Sequence, residues 1–261
     1  MSEKDGAILV EEDGGIVTVR VARGAKLNAL TPHMIDELGA VALALDARND
    51  VRCVILTGEG EKAFCVGADI NAWSALSPLD MWRLWVRRGH RVFDLWARLR
   101  PPVIAAINGH ALGGGLELAA VADIRIASRS ATFGLPEATI STCPGWSGTQ
   151  RLVKLIGSSR VKYLALSGQR VNADFALQLG VVHEVVEAGA VAARARELAS
   201  HIATLAPVSL QLTKQLIDAA DGEGAALALE AMASAVAAGT ADAAEGVASF
   251  REKRPAHYSG E

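Results

Sequence analysis

The chain of 261 residues is sparing in the features that would assign it at once. It has only three cysteines, Cys53, Cys65 and Cys143, an odd number without CxxC spacing. That argues against a disulfide framework, and the three read as reduced, buried and structural in a reducing compartment. No charge-free run approaches the ~20 residues of a membrane span, so no membrane partner is expected. Basic residues do not exceed acidic ones: the formal net charge is −3, which argues against nucleic acid as the main partner. Neither a Walker A nor a GxGxxG pattern is present, so a nucleotide cofactor has no anchor. The six histidines, His33, His90, His110, His183, His201 and His257, form no HxxxH or Cys/His ligand spacing, and no metal is expected. Residues 1–15 are acidic, with no apolar signal core and no Arg-rich transit pattern, so the expected location is the cytoplasm.

What is present is apolar and periodic. Hydrophobic residues make up 51%, enough for one large domain or one domain with an appendage. Ile8–Val10, the turn Glu12–Gly15 and Ile16–Val21 predict a β-hairpin. Thr31-Pro32 supplies an N-cap and a first helical proline, opening an amphipathic helix to about Ala47. The β-branched run Val51–Leu56 predicts a buried strand, and so does Val103–Ile107. Asp123–Ala127, Ala131–Gly134 and Val181–Val186 predict further strands. The segments 191–205, 207–220, 225–238 and 242–252 predict an alanine-rich helical tail. Strands alternating with helices point to α/β layering. The tail has apolar residues on more than one face, the pattern of helices that pack against another copy of the chain.

Four of the five tryptophans lie in residues 73–99, whose pattern is helical. Spacings of three and eleven put Trp82, Trp85 and Trp96 on roughly one stripe. Ordinary core packing accounts for such a stripe, and so does a pocket wall.

The chain is organised around Asn108-Gly109-His110-Ala111-Leu112-Gly113-Gly114-Gly115-Leu116-Glu117-Leu118. Three glycines after a buried strand allow a tight turn and close approach of another molecule to bare backbone. The apolar stretch beyond them predicts a helix, whose first N–H groups and positive dipole end point outward together. Such a corner is either a simple turn or a seat for an oxygen that is becoming negative. A second glycine corner, Gly67-Ala68-Asp69-Ile70, repeats the pattern. Two backbone N–H groups converging from the two corners would form an oxyanion hole able to polarise a thioester carbonyl.

Glu117 and Glu137 are the candidate proton carriers. If both reach one pocket, one can be ionised and the other protonated, because like charges in a dry site do not both ionise cheaply. That pair suits addition of water across a double bond, one carboxylate deprotonating water and the other supplying a proton to carbon. Gly145-Trp146-Ser147-Gly148-Thr149 nearly spells a nucleophile elbow but lacks the last glycine, and no His/Asp arrangement accompanies it. Ser147 therefore reads as a turn or cap residue.

Taken together, these stretches resemble the enoyl-CoA hydratase/isomerase (crotonase) superfamily over essentially the whole chain. The matching motifs include residues 23–30, 63–70 and 102–118, then Phe133-Gly134-Leu135-Pro136-Glu137, residues 144–152 and the tail Phe250–Arg254. The resemblance implies an α/β fold, a spiral of repeated ββα units over residues 1–195, with a C-terminal helical region, 196–261, that drives trimers or hexamers. It implies hydration of a 2-trans-enoyl-CoA to a 3-hydroxyacyl-CoA, a lyase reaction in fatty-acid or related acyl-CoA metabolism. Coenzyme A enters as part of the substrate and no separate cofactor is implied. By motif position, Ala68 and Gly114 give the oxyanion-hole N–H groups, and Glu117 and Glu137 the catalytic pair. Lys26, Val66, Asp69, Ile70, Gly113, Pro136, Gly145 and Lys253 match positions around the CoA ester. Keeping both glutamates favours hydration over double-bond isomerisation, although specialised dehydratases of the carnitinyl-CoA type keep both too. A non-catalytic CoA- or RNA-binding relative is disfavoured by the intact glutamates and glycine corners.

Trp146 departs from the small residue usual after Pro-Gly, and the tryptophan-rich segment falls where the family borders the acyl chain. Trp82, Trp85 and Trp146 are therefore expected to shorten or shape the acyl pocket.

Overall fold

The computed structural model describes residues 6–260. In chain order the strands are β1 (Ala7–Asp13), β2 (Ile16–Ala22), β3 (Cys53–Gly58), β4 (Ala63–Cys65), β5 (Val103–Ile107), β6 (His110–Leu112), β7 (Ile124–Ser128), β8 (Thr132–Gly134), β9 (Val171–Asn172) and β10 (Glu184–Val186). They form two sheets, ordered β1-β2-β3-β5-β7-β10 and β4-β6-β8-β9. Successive pairs β3/β4, β5/β6 and β7/β8 give one strand to each sheet in the same sequence, and within each sheet these strands run parallel. The chain therefore winds as a spiral of ββα turns. Among the described residues only β1/β2 and β8/β9 are antiparallel.

Strand periodicity explains the unbroken apolar runs. On β3, Val54 and Leu56 enter the main core with Val103, Ala105 and Ile107 of β5, while Cys53 and Ile55 face a second cluster with Ile104 and Ala106. That second cluster is closed by Val191, Ala195, Ala199 and Ile202 of the helix Val191–Ala203. Central parallel strands buried on both faces have no need of polar alternation. The hairpin and the helix Pro32–Asp46 form as expected, with Thr31 accepting the Met34 N–H. Trp96 is fully buried and donates its indole N–H to Leu38 O at 3.0 Å, fastening the helix Arg87–Ala97 to the helix Pro32–Asp46.

Two expectations are corrected. The helical pattern over 73–99 is not one helix: Ile70–Trp73 and Pro78–Asp80 are single turns, Met81–Val86 is wound as a π-helix, and a regular helix starts only at Arg87. Wider winding alters which residues share a face, so Trp85 is buried while Trp82, three residues earlier, is 59% exposed. Cys143 is exposed, not buried; Cys53 and Cys65 are buried, and none of the three is in a disulfide. The strand-like segment before Gly67 forms β4, whereas the short strands β6 and β9, lacking a run long enough to signal, have no counterpart in the sequence reading.

The chain divides into two compact units, one up to Leu210 and one from Gln211. The helix Val191–Ala203 thus goes with the sheets it covers, whereas the resemblance sets the boundary after residue 195. In the second unit Thr240 caps the helix Ala241–Glu252 through the Ala243 N–H. Glu245 there accepts from Arg254 at 2.6 Å and from the His257 N–H at 2.9 Å. Its large apolar side chains are largely uncovered, Phe250 at 86% and Val236 at 73%. Among the described residues no helix is long and apolar enough to cross a membrane.

Candidate active site

The two glycine corners meet. Leu30 donates to Gly67 O at 2.8 Å and accepts from the Asp69 N–H at 2.9 Å, an isolated parallel bridge to the segment around Ala68. Because successive N–H groups of extended chain alternate sides, the Ala68 N–H points away from Leu30. Gly114 opens the helix Gly114–Ala119, so its N–H has no acceptor within that helix. The corners touch so closely that a Cβ on Gly67 would stand 2.9 Å from Gly114 N. Gly67 also has φ +93°, which only glycine adopts without strain.

Both corners open into a cavity of about 670 Å³. Glu117 and Glu137 line it with Val66, Ala68, Ile70, Gly113, Gly114, Pro136, Gly145, Trp85 and Trp146. Asp69, Lys26 and Trp82 do not. The Asp69 carboxylate is taken by Arg23 at 2.7 Å and by the Asn71 N–H at 3.0 Å. Burial would raise its pKa, but these partners hold it below the usual range. Lys26 is exposed beside Leu27, which lines the cavity, and Trp82 lies under the Arg83 guanidinium at 5.8 Å. Lys253 is exposed in the second unit, capping the helix Ala241–Glu252 with φ +54°.

The two carboxylates have opposite surroundings. Glu117 is 2% exposed, and its Oε1 accepts the N–H groups of Trp146 at 2.9 Å and Gly148 at 2.7 Å. Burial holds its pKa above the ordinary carboxylate value, although the N–H groups of Gly148, Trp146 and Gly145 and the Arg151 charge offset part of the rise. Glu137 is 9% exposed, and neither of its carboxylate oxygens has a hydrogen-bond partner among the described residues. Burial pushes it up to about 7, with the Glu117 charge adding to the rise. Both carboxyls are thus held above the ordinary carboxylate value, but of the two only Glu117 has N–H donors placed to stabilise a charge.

Trp146 forms one wall. It is buried, with ring centroids 5.5 Å from Trp85 and 5.3 Å from Phe93. A Cβ on Gly114 would lie 2.8 Å from its six-membered ring, and one on Gly89 would collide with its pyrrole edge.

Some features escaped the sequence reading. Leu27, His110, Thr139, Cys143 and Arg170 also line the cavity. Leu27 falls inside a matched motif and Thr139 follows Glu137 by two residues, so both were within reach; Arg170 gave no signal. The expectation that no His/Asp arrangement serves Ser147 is corrected. His90 Nδ1 lies 2.8 Å from Ser147 Oγ, and His90 Nε2 lies 3.4 Å from Asp94. Ser147 does precede the helix Gly148–Ile156, but its hydroxyl does not cap it.

Residues 11–261 match the sequence pattern of the family described as enoyl-CoA hydratase/isomerase. The chain is 39% identical to the short-chain-enoyl-CoA hydratase of Clostridium acetobutylicum, covering 95% of each chain. It is 35% identical to the crotonyl-CoA hydratase of Syntrophomonas wolfei, over 96% of this chain and 97% of that one. Its fold superimposes on the crystal structure of an enoyl-CoA hydratase from Bacillus anthracis with a TM-score of 0.80 and 36% identity, over 97% and 99% of the two chains. Alike in sequence and in fold along nearly its whole length, the chain belongs to the enoyl-CoA hydratase/isomerase family.

Proposed function

We propose that this enzyme hydrates short 2-trans-enoyl-CoA thioesters to 3-hydroxyacyl-CoA, a lyase step of fatty-acid or related acyl-CoA metabolism. The thioester oxygen sits between the N–H groups of Ala68 and Gly114. Glu117, its Oε1 held by two N–H groups, takes a proton from water through its other oxygen as the hydroxyl adds to C3. The displaced electron pair collects on the thioester oxygen, where the two N–H groups stabilise it. Glu137, partnerless and protonated, then gives its proton to C2. The observation that carries this reading is the contrast between the two carboxylates across one cavity, which suits one to act as base and the other as acid. The reading asks for no metal or redox group.

Lys26, exposed next to the cavity-lining Leu27, suits a CoA phosphate, and Lys253 is a second candidate from the tail. Trp85 and Trp146 suit a short acyl group by filling space that a long chain needs. The uncovered apolar side chains of the second unit support assembly into trimers or hexamers, which light scattering after gel filtration measures. Three cysteines outside any disulfide support a reducing, cytoplasmic setting.

The test follows crotonyl-CoA hydration by loss of conjugated-thioester absorbance, for the native chain, Glu117→Gln and Glu137→Gln. Each variant is expected to lose ~10²–10⁴ in kcat, the usual worth of a general acid or base. A native chain inactive on every enoyl-CoA tried, or variants that keep full rate, would overturn the reading.

A further inference from the structure

The donors that hold Glu117 come from residues 146 and 148, on either side of Ser147. Ser147 is 5% exposed and has φ +73°, ψ 6°, a left-handed conformation that is costly for a residue with a side chain. The left-handed turn aims both flanking N–H groups at the same oxygen, Glu117 Oε1. Glycine would adopt this conformation most cheaply, so a serine here needs another reason to stay.

That reason lies on the helix Arg87–Ala97, which grips the loop at three successive points. Gly89 leaves room for the Trp146 indole. His90 Nδ1 meets Ser147 Oγ at 2.8 Å. Asp94, one helical turn further on, meets His90 Nε2 at 3.4 Å and is also hydrogen-bonded to the Arg151 guanidinium. Arg151 in turn closes the first turn beyond the loop, its N–H donating to Ser147 O at 3.0 Å. Asp94 beside Nε2 favours the tautomer with its proton there, and in that tautomer Nδ1 accepts and the Ser147 hydroxyl donates. The hydroxyl does not line the cavity, so it does not face the substrate and is not a nucleophile.

We propose that Ser147 is a positioning residue, held by the His90–Asp94–Arg151 array, and that it sets the two N–H groups fixing the water-activating oxygen geometry of Glu117. This rests on the reading of Glu117 as the catalytic base. The array touches neither substrate nor reacting atoms, and its effect passes entirely through Glu117.

Ser147→Gly tests it, because glycine keeps the left-handed backbone at no strain and removes the hydroxymethyl group that His90 holds. Crotonyl-CoA hydration is measured for this variant, for Glu117→Gln and for the double variant, with KM recorded throughout. The expected result is a kcat lowered ~10- to ~100-fold, the scale of a small misplacement of a catalytic group, with KM unchanged. In the Glu117→Gln background the same change should cost nothing further, since the group it positions is already lost. His90→Leu should reproduce the loss, while His90→Asn, whose carbonyl oxygen can take the place of Nδ1 as acceptor, should recover most of it. An equal cost in both backgrounds, or a lowered melting temperature with kcat intact, would overturn the proposal while leaving Glu117 as base. Full activity in Glu117→Gln would instead overturn the base assignment, and the proposal with it.

Discussion

Gly148 meets Glu117 in two ways: its N–H donates to Oε1 across 2.7 Å, and a Cβ added to it would collide with the Glu117 Cγ. Absence of a side chain at residue 148 is therefore what lets the donor come close enough to fix the carboxylate. Gly148→Ala should push Glu117 or the loop aside by a fraction of an ångström to an ångström. Misplacement on that scale costs ~10²-fold, and kcat on crotonyl-CoA should fall by about that factor. A rate within twofold of the native one would show that Glu117 is not held this way.

Glu137 predicts opposite signs for activity and for the stability of its variant. As the acid, it must carry its proton, so kcat/KM should fall as pH rises through about 7. Folding raises its pKa from 4.5 to about 7, so the folded protein binds this proton more tightly than the unfolded chain. Its stabilising contribution is complete below the unfolded value and is lost as pH rises through the folded one. At ~1.4 kcal/mol per unit, an ionised Glu137 in the native site costs up to ~3 kcal/mol above pH 7. Glu137→Gln removes that titration. Its melting temperature relative to native should therefore rise between pH 5 and pH 8, even as its activity is lost. A difference that stays flat over this range would mean that Glu137 titrates normally.

Local chemistry was legible in the sequence where a residue's role depends on its near neighbours. Thr31-Pro32 predicts the start of a helix because capping is decided within four residues, and the hairpin turn at Gly14-Gly15 needs no distant partner. The glycine corners and both glutamates stood out for the same reason. What lay hidden was set by distant chain. His90 and Ser147 are separated by 57 positions and become partners only when the Arg87–Ala97 helix packs beside the loop. The π-helical winding of Met81–Val86 changes the period on which a stripe of tryptophans is counted, so Trp82 turns outward. Arg170 reaches the cavity from the residue before β9, a strand of two residues with no periodicity to detect.

The approach of the two corners makes residue 67 a sensitive position. A Cβ there would stand 2.9 Å from Gly114 N and 3.1 Å from Leu112 O, on a backbone with φ +93°. Gly67→Ala should separate the Ala68 and Gly114 N–H groups, and loss of one such donor typically costs ~10²–10³ in kcat. Gly60 is the control: it also has positive φ, but a Cβ there meets nothing within 4 Å. Gly60→Ala should carry conformational strain without touching the rate. Equal rate losses in the two variants would assign the effect of Gly67→Ala to backbone strain, not to the separation of the donors.

Trp146 predicts the chain-length preference. Its indole is packed between Trp85, Phe93 and the bare backbone of Gly89 and Gly114, so it has no empty space to retreat into. A longer acyl chain must either displace this wall or find another exit, and kcat/KM should fall steadily from crotonyl-CoA to hexenoyl-, octenoyl- and decenoyl-CoA. Trp146→Leu removes ring volume but keeps the N–H that donates to Glu117, so the catalytic geometry is preserved in principle while the wall recedes. Replacing a buried Trp costs stability, ~3–5 kcal/mol for truncation to Ala and less for a side chain that still fills part of the space. The slope of kcat/KM against chain length should flatten in Trp146→Leu, with crotonyl-CoA turned over at least as slowly as before. Gly89→Ala provides the converse, because its Cβ would drive the indole further into the cavity and steepen the slope. Undiminished activity of the native chain on decenoyl-CoA would show that Trp146 does not bound the acyl site.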